Sequence, residues 1–384
     1  MKTFVRGLIA VLVVMSIILS VACGKIGEKP GGRESVDPVD PNRSESPTSG
    51  SAKIGEGRKI AYITPPSGLG DGAIGDAIYY GLLEAKELFG FDLDYSEPMS
   101  PTDYEEMIAE YAGSGDYDLI FLGGADGLDP ITAVGPDYPD QKCVLYDVAS
   151  AGNDQYVSEY FAKNEIGFIA GVLAALIDAE GEVVISGVRT TFEPSGKIGL
   201  VMGVEVPATV PALTGAAAGI KYVKPEAEYL YAIVGNWSDQ AKNKEIGLSM
   251  IDQGANVIYA NAGGGGLGLI AAGKERNSFF IGYDTDQTHW DPERVVGSSM
   301  KQNTATILRV LTEYFETGEL AWGTAEENNA SNGGIGFTYN PDFEVPENIA
   351  SIVEQVIQDL KSGKISAPNT WEEVEAFDAV FAGQ

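Results

Sequence analysis

The sequence predicts an α/β protein made of two lobes, each a doubly wound parallel sheet, and three observations carry that expectation. Short β-branched runs alternate with amphipathic stretches from Lys59 onward. The alternation restarts after an apolar helical stretch at 165–177. The whole chain is 44% hydrophobic, enough for the part beyond residue 57 to bury two ordinary cores.

Ahead of that body the chain reads as an export segment. Lys2 and Arg6 give a positive start, and residues 8–19 form an apolar run broken only by Ser16, too short to span a membrane. The run ends in Ser20-Val21-Ala22-Cys23-Gly24, which resembles a lipobox with Cys23 as the acylated residue. Ser20 stands where Leu is usual, and an ordinary cleaved signal with an incidental cysteine is the alternative reading. Residues 24–57 are rich in Gly, Pro, Ser and charge, and cannot bury enough surface to offset the entropy of ordering. They read as a tether with an r.m.s. reach of about 30 Å.

Twenty-five basic residues face 56 acidic ones, a formal charge of −31; removing residues 1–22 takes away Lys2 and Arg6 and no acid, leaving −33. Such a surface repels phosphate backbones and anionic headgroups, so no nucleic-acid partner is expected. With Cys23 acylated, Cys143 is the one remaining thiol and no intramolecular disulfide is expected. Its setting, Lys142-Cys143-Val144-Leu145-Tyr146, reads as a core strand. The single histidine, His289, leaves no His/Cys zinc cluster, and no cofactor is expected.

In order, the periodicity predicts strands at 60–63 and 91–95 around a helix at 76–88, a helix from residue 102, and strands at 117–121 and 143–146. After the 165–177 helix come a strand at 197–202, a helix from Pro207, a strand at 229–234, a helix from Asp239 and a strand at 257–259. The second half repeats the first: Tyr104-Glu105-Glu106-Met107-Ile108 leading to Leu119-Ile120-Phe121-Leu122-Gly123-Gly124 parallels Lys244-Glu245-Ile246 leading to Val257-Ile258-Tyr259. Ligands of open α/β sheets bind beyond the carboxyl ends of the strands, so two facing lobes line one cleft.

Five pieces in order carry a family resemblance: Val201-Met202-Gly203-Val204-Glu205-Val206-Pro207 before a helix ending Ala218-Gly219-Ile220-Lys221-Tyr222-Val223, then Val234-Gly235-Asn236-Trp237-Ser238-Asp239, Asn261-Ala262-Gly263-Gly264-Gly265-Gly266-Leu267-Gly268, Ile281-Gly282-Tyr283-Asp284-Thr285-Asp286-Gln287 and Ser298-Ser299-Met300-Lys301. Together they resemble the basic membrane protein family of bacterial solute-binding lipoproteins, which includes purine nucleoside receptors, from Lys59 to about Leu311. The resemblance implies a type I periplasmic-binding-protein fold with its lobes joined by a hinge. After a signal peptide at 1–22 and a tether at 23–57, it suggests an N-terminal lobe of 58–164 plus about 284–335 and a C-terminal lobe of 165–283 plus about 336–384. It implies a non-enzymatic receptor, anchored by lipid on the outer side of the cell membrane, that closes on a nucleoside-like solute and docks on ABC permease subunits, a task that suits a monomer.

By position, the resemblance puts Trp237 where an aromatic stacks on the base, and Asp284 or Asp286, Gly263 and Lys301 where ribose hydroxyls are held. Asp147 falls near a base-contacting carboxylate. An indole face suits a flat heterocycle, and buried polar groups reject analogues that lack a hydroxyl. The first-lobe loop departs from the family: Asp71-Gly72-Ala73-Ile74-Gly75-Asp76 stands where Asp-Lys-Ser-Phe-Asn is common. Ile74 thus replaces a second stacking aromatic, unless Tyr79 or Tyr80 reaches in, and Pro65 stands at a strand end that is often Asp.

Each of these positions has a plainer reading. Asp71 can fix its glycine-rich turn, Asp126 can cap a helix instead of contacting ligand, and Asp239 can be an N-cap. The glycine run at 263–268 matches a dinucleotide fingerprint only loosely, and Gly264 fits better as a backbone contact to ligand at a helix start. His289 and Trp290 form either a solvated loop pair or a lip of the cleft. Two rivals remain: the same fold taking a flavin, sugar or signalling molecule, and a secreted glycosidase acting on nucleosides. The latter lacks a GxSxG, a histidine partner and a convincing carboxylate pair.

Overall fold

The β-branched and aromatic runs pair into two six-stranded sheets in the computed structural model, which describes residues 52–381. The expected signal peptide, Cys23 and most of the tether lie outside the described residues. The first half runs β1 (Lys59–Ile63), α1 (Ile74–Phe89), β2 (Asp92–Ser96), α2 (Pro101–Ser114), β3 (Leu119–Gly123), α3 (Leu128–Val134), β4 (Cys143–Tyr146) and β5 (Tyr156–Phe161). There follow α4 (Lys163–Glu180), a hairpin of β6 (Glu182–Ile185) and β7 (Val188–Thr191), then β8 (Lys197–Met202), α5 (Val210–Val223), β9 (Glu228–Ile233), α6 (Gln240–Asp252), β10 (Val257–Asn261), α7 (Gly266–Arg276), β11 (Phe279–Asp284) and β12 (Val295–Lys301). The chain closes with α8 (Asn303–Thr317), β13 (Ala325–Asn328), β14 (Ile335–Tyr339), α9 (Glu347–Lys361) and α10 (Trp371–Ala376).

Strand order is β13-β5-β4-β3-β1-β2 in one sheet and β14-β12-β11-β10-β8-β9 in the other. Position for position the orders coincide, so the repeat seen around α2–β3 and α6–β10 is a repeat of topology. Within these two sheets pairing is parallel except for β14, which runs antiparallel to β12. Strands such as β3 are buried along their whole length, as a sheet covered on both faces requires.

The chain crosses between lobes three times: after β5, after β12, and between β13 and β14. The second crossing corrects the expected boundary. A return near residue 284 would leave β12 in the first lobe, yet β12 pairs with β11 through Met300, so the return falls at Gln302. Residues 285–294 loop back to the sheet they left. The tether also ends sooner than residue 57, because Gly55 is buried and donates its N–H to Phe89 O at 2.9 Å. Helix α5 starts at Val210 instead of Pro207, since the Thr209 hydroxyl binds the backbone of Val204 and Val206 and holds the preceding residues in a turn.

Helix α4 is buried from Ile166 through Asp178 and carries the first crossing into the second lobe. It packs closely on α5 where both helices carry glycine: a Cβ on Gly167 or Gly171 would strike the carbonyl of Ala212 or Ala216, and one on Gly215 or Gly219 the carbonyl of Asn164 or Phe168. These obstacles are backbone and cannot swing aside. Gly171→Val is expected to destabilise the protein by about 3 kcal/mol or more, at the upper end of overpacking costs. Gly113→Ala on α2, where the added carbon would meet Tyr138 at an ordinary 3.4 Å, should not lower stability. Urea denaturation followed by circular dichroism checks both.

Candidate ligand-binding site

Strands β4 and β11 hold the same place in their sheets, and both end on a Tyr-Asp pair, Tyr146-Asp147 and Tyr283-Asp284. The tyrosine rings are buried. Both aspartates have φ +69°, a left-handed turn that few residue types other than glycine tolerate and that Asp tolerates comparatively well. The Asp147 carboxylate reaches Lys301 of the other lobe, and the Asp284 carboxylate reaches the same ammonium from its own sheet.

Lys301, the last residue of β12, joins them. Its side chain is 2% exposed, and Nζ lies 2.9 Å from Asp147 Oδ2 and 2.6 Å from Asp284 Oδ1. The first contact is a hydrogen bond; the second is off the angle of one and is chiefly electrostatic. Lys163, at the start of α4, places its own Nζ 3.1 Å from the same Asp147 oxygen. One carboxylate oxygen thus serves two ammonium groups, one ammonium serves two carboxylates, and the four charges cancel. The rings of Tyr283 and Phe161 flank Lys301 at 5.4 and 5.8 Å, adding cation–π attraction.

Desolvation opposes every charge here, and the partners outweigh it at two of the four groups. For Asp147 the two lysines outweigh burial and hold the carboxyl below its usual range. For Asp284 burial prevails over Lys301 and pushes the carboxyl up. Burial lowers Lys163 against the pull of Asp147, while Lys301, held by two carboxylates, is raised despite its burial. Asp147 Oδ1 and the hydroxyls of Tyr259 and Tyr283 are buried and make no hydrogen bond among the described residues. A cavity of about 160 Å³ opens beside Asp147, lined by Lys163, Asn164 and Tyr160 from the crossing side and by Ala208 and Pro211 from the second lobe.

Trp237 follows β9 and is half-buried, its ring laid over Gly203 at the end of β8. Its carbonyl accepts the Gly265 N–H at 2.9 Å, so the tryptophan and the Gly263–Gly265 turn form one unit of the second lobe. Gly264 lies across the cleft from the first-lobe loop, where a Cβ would stand 3.5 Å from Asp71 O.

Other expected contacts are spent locally. The Asp71 carboxylate accepts the amides of Ala73, Gly75 and Asp76 at 2.8, 3.0 and 3.2 Å and the Ser67 hydroxyl at 2.9 Å, which fixes the turn before α1. Ile74 is the first residue of that helix and packs on the core. Asp286 is exposed and caps the turn at Thr288–Trp290 through the amide and hydroxyl of Thr288. Asp126 is exposed in the short turn after β3. Asp239 caps α6 by accepting the Lys242 amide at 2.9 Å. Tyr79 packs on Tyr95 of β2, and Tyr80 is exposed, so neither takes up the role of the missing aromatic at Ile74.

The site therefore assembles Asp147, Asp284 and Lys301 in one cluster, and Trp237, Gly263 and Gly264 in a neighbouring unit. Lys163 was missed from sequence, although a signal existed: Lys163 follows Asp147 by 16 residues as Lys301 follows Asp284 by 17.

Two open α/β lobes meeting over buried, mutually neutralising charges at their strand ends define a bilobal solute-binding protein. The profile of the Bmp family, described as ABC transporter substrate-binding protein PnrA-like, matches residues 59–370, and the chain belongs to that family. The ABC transporter nucleoside-binding protein BmpA of Lactococcus lactis subsp. cremoris (strain MG1363) is 26% identical over 349 residues, spanning 85% of this chain and 93% of that protein. An uncharacterized lipoprotein of Pyrococcus furiosus is 26% identical over 361 residues, covering 86% and 84% of the two chains. A solved solute-binding protein of an ABC transporter system from Aeropyrum pernix K1 superposes with a TM-score of 0.70 over 83% of this chain and 96% of that one, at 23% identity. That likeness establishes the type I periplasmic-binding-protein fold.

Removing the central cation leaves two buried carboxylates facing each other, so Lys301→Met is expected to destabilise the protein by about 3–5 kcal/mol. The carboxylates should respond to acid in opposite senses. Asp147, whose folded pKa is depressed, contributes stability above the ordinary carboxylate range and loses it as pH falls through that depressed value; Asp284, whose folded pKa is raised, contributes in acid and loses it as pH rises through the raised value. Urea midpoints measured across the acid range should lose the first dependence in Asp147→Asn and the second in Asp284→Asn.

Proposed function

We propose that this substrate-binding protein works outside the cytoplasm, closing on a nucleoside-like solute and presenting the closed form to an ABC permease. The observation that carries the reading is the Lys301 bridge between a carboxylate of each lobe. A ribose diol donates to carboxylates and accepts from an ammonium, so it can take over the contacts that Lys301, Asp147 and Asp284 now make with one another. Trp237, beside its glycine turn, offers a flat apolar face for the base. A formal charge of −31 disfavours polyanionic cargo such as nucleotides. The nucleoside-binding relative supports the ligand class, and the lipoprotein relative supports an anchor at Cys23.

No bond is made or broken in this mechanism. Ligand shifts the open–closed equilibrium only by its preference for the closed form. The protein acts as a monomer, each copy engaging permease subunits once closed. A flavin or sugar remains the second reading, supported by Ile74 at the place of the second aromatic.

Tryptophan fluorescence of the purified protein, titrated with purine and pyrimidine nucleosides, free bases, ribose and riboflavin, tests the proposal. Saturable quenching by nucleosides is expected, with Trp237→Ala raising Kd about tenfold, as the loss of one stacking contact predicts. Silence toward every nucleoside together with a response to ribose or riboflavin would overturn the nucleoside assignment and leave the fold intact.

A further inference from the structure

The first-lobe loop that departs from the family pattern and the tryptophan at the lip of the cleft meet each other. Gly72 has φ +60°, and a Cβ there would stand 2.6 Å from Cζ2 of Trp290 and 3.3 Å from its Nε1. The edge of the indole thus rests against the bare Cα of a residue in the opposite lobe. On the tryptophan's own side, a Cβ on Gly266 would stand 3.3 Å from Cζ3 of the same ring. The ring is held between a glycine of each lobe, and Thr285 Oγ1 adds a hydrogen bond to Gly72 O at 3.3 Å.

Neither turn is slack. Asp76 accepts the amides of Gly70 and Gly72 at 2.7 and 2.9 Å, and Asp71 ties the residues that follow. In the second lobe Gln287 donates its amide to Ser298 Oγ at 2.9 Å and accepts the Tyr283 amide at 3.2 Å, while Asp286 caps the turn that carries Trp290. Lys274 pairs with Asp291 just beyond it at 3.1 Å. Two preformed surfaces lose little conformational freedom on meeting, so their contact acts almost undiminished on the equilibrium between open and closed lobes.

We propose that Trp290 and Gly72 are a latch between the lobes that favours their closed arrangement and sets ligand affinity through the closed population. This goes beyond the nucleoside reading and holds for whatever solute the cleft takes. A ligand gripped by both lobes gains apparent affinity in proportion to how often the gripping form is already present. Trp290 is a positioning residue in this scheme, and the absence of a side chain at Gly72 is what admits its ring.

The test reads lobe separation directly. Spin labels on Glu106→Cys in α2 and Glu245→Cys in α6, both exposed, report the distance between lobes in the full chain carrying Cys23→Ser, with native Cys143 buried. Ligand-free protein with native Gly72 and Trp290 is expected to show a short-distance population, reduced at least tenfold relative to the open one by Gly72→Ala or Trp290→Ala. Alanine at positive φ is strained in its own right, so the double variant decides the cause. If the indole is the obstacle, Gly72→Ala costs nothing further once Trp290 is alanine, and the double variant matches Trp290→Ala. Calorimetric titration of the same proteins with adenosine should show Kd rising as the closed population falls. A ligand-free protein that is only open, single variants with an unchanged distribution, or a Gly72→Ala effect that persists in full beside Trp290→Ala would each overturn the latch. Absence of adenosine binding to the unlatched and latched proteins alike counts against the nucleoside reading, while the distance distributions still decide the latch.

Discussion

Lys301 holds its ammonium out of water between a carboxylate from each lobe, and much of the surrounding architecture follows from what such a group demands. An unpaired charge at this depth is not tolerable, and an ion pair buried without further partners gains little over its desolvation. Here the balance is reached by four charges, with Lys163 steadying the oxygen that Lys301 also uses. The arrangement requires β4 and β11 to end opposite each other, both to finish in a left-handed aspartate, and the chain to cross between lobes beside them. A ligand entering this space must supply donors and acceptors equivalent to those it separates, which is a stricter requirement than filling a volume.

The sheets were legible in the sequence because parallel strands buried on both faces are continuous apolar runs, and those at Cys143–Tyr146 and Lys197–Met202 fall where the pattern puts them. The repeat was legible as well, since the helix–strand units before each glycine-rich exit occupy equivalent places in the two sheets. The lobe boundary was not, because whether a strand returns to its own sheet is decided by a pairing partner far along the chain. Nothing local to Val295 distinguishes pairing with β11 from crossing over.

Side-chain roles divided along the same line. Lys301, Asp147 and Asp284 were marked by family likeness, and the fold brings them together. Asp71 and Asp286 carry the same chemistry in the sequence, yet both Asp71 oxygens and Asp286 Oδ1 accept amides and hydroxyls of their own turns. An aspartate within a few residues of a glycine-rich turn or a short helix start is commonly such a strut, and the spacing alone does not reveal which use prevails. In this molecule the struts stiffen the loops that face each other across the cleft.

The interleaving of the two lobes bears on how the chain reaches its destination. Strand β13 completes the first sheet by pairing with β5, although the whole of β6 through β12 lies between them in sequence, and α8 packs on α1 from a similar remove. Contacts between such distant segments form slowly, because a long loop must close before they yield any stabilisation. The first lobe therefore cannot finish until β13, at Ala325–Asn328, has been made. If the chain is exported as proposed, what passes the membrane first holds no completed first lobe to be pulled apart.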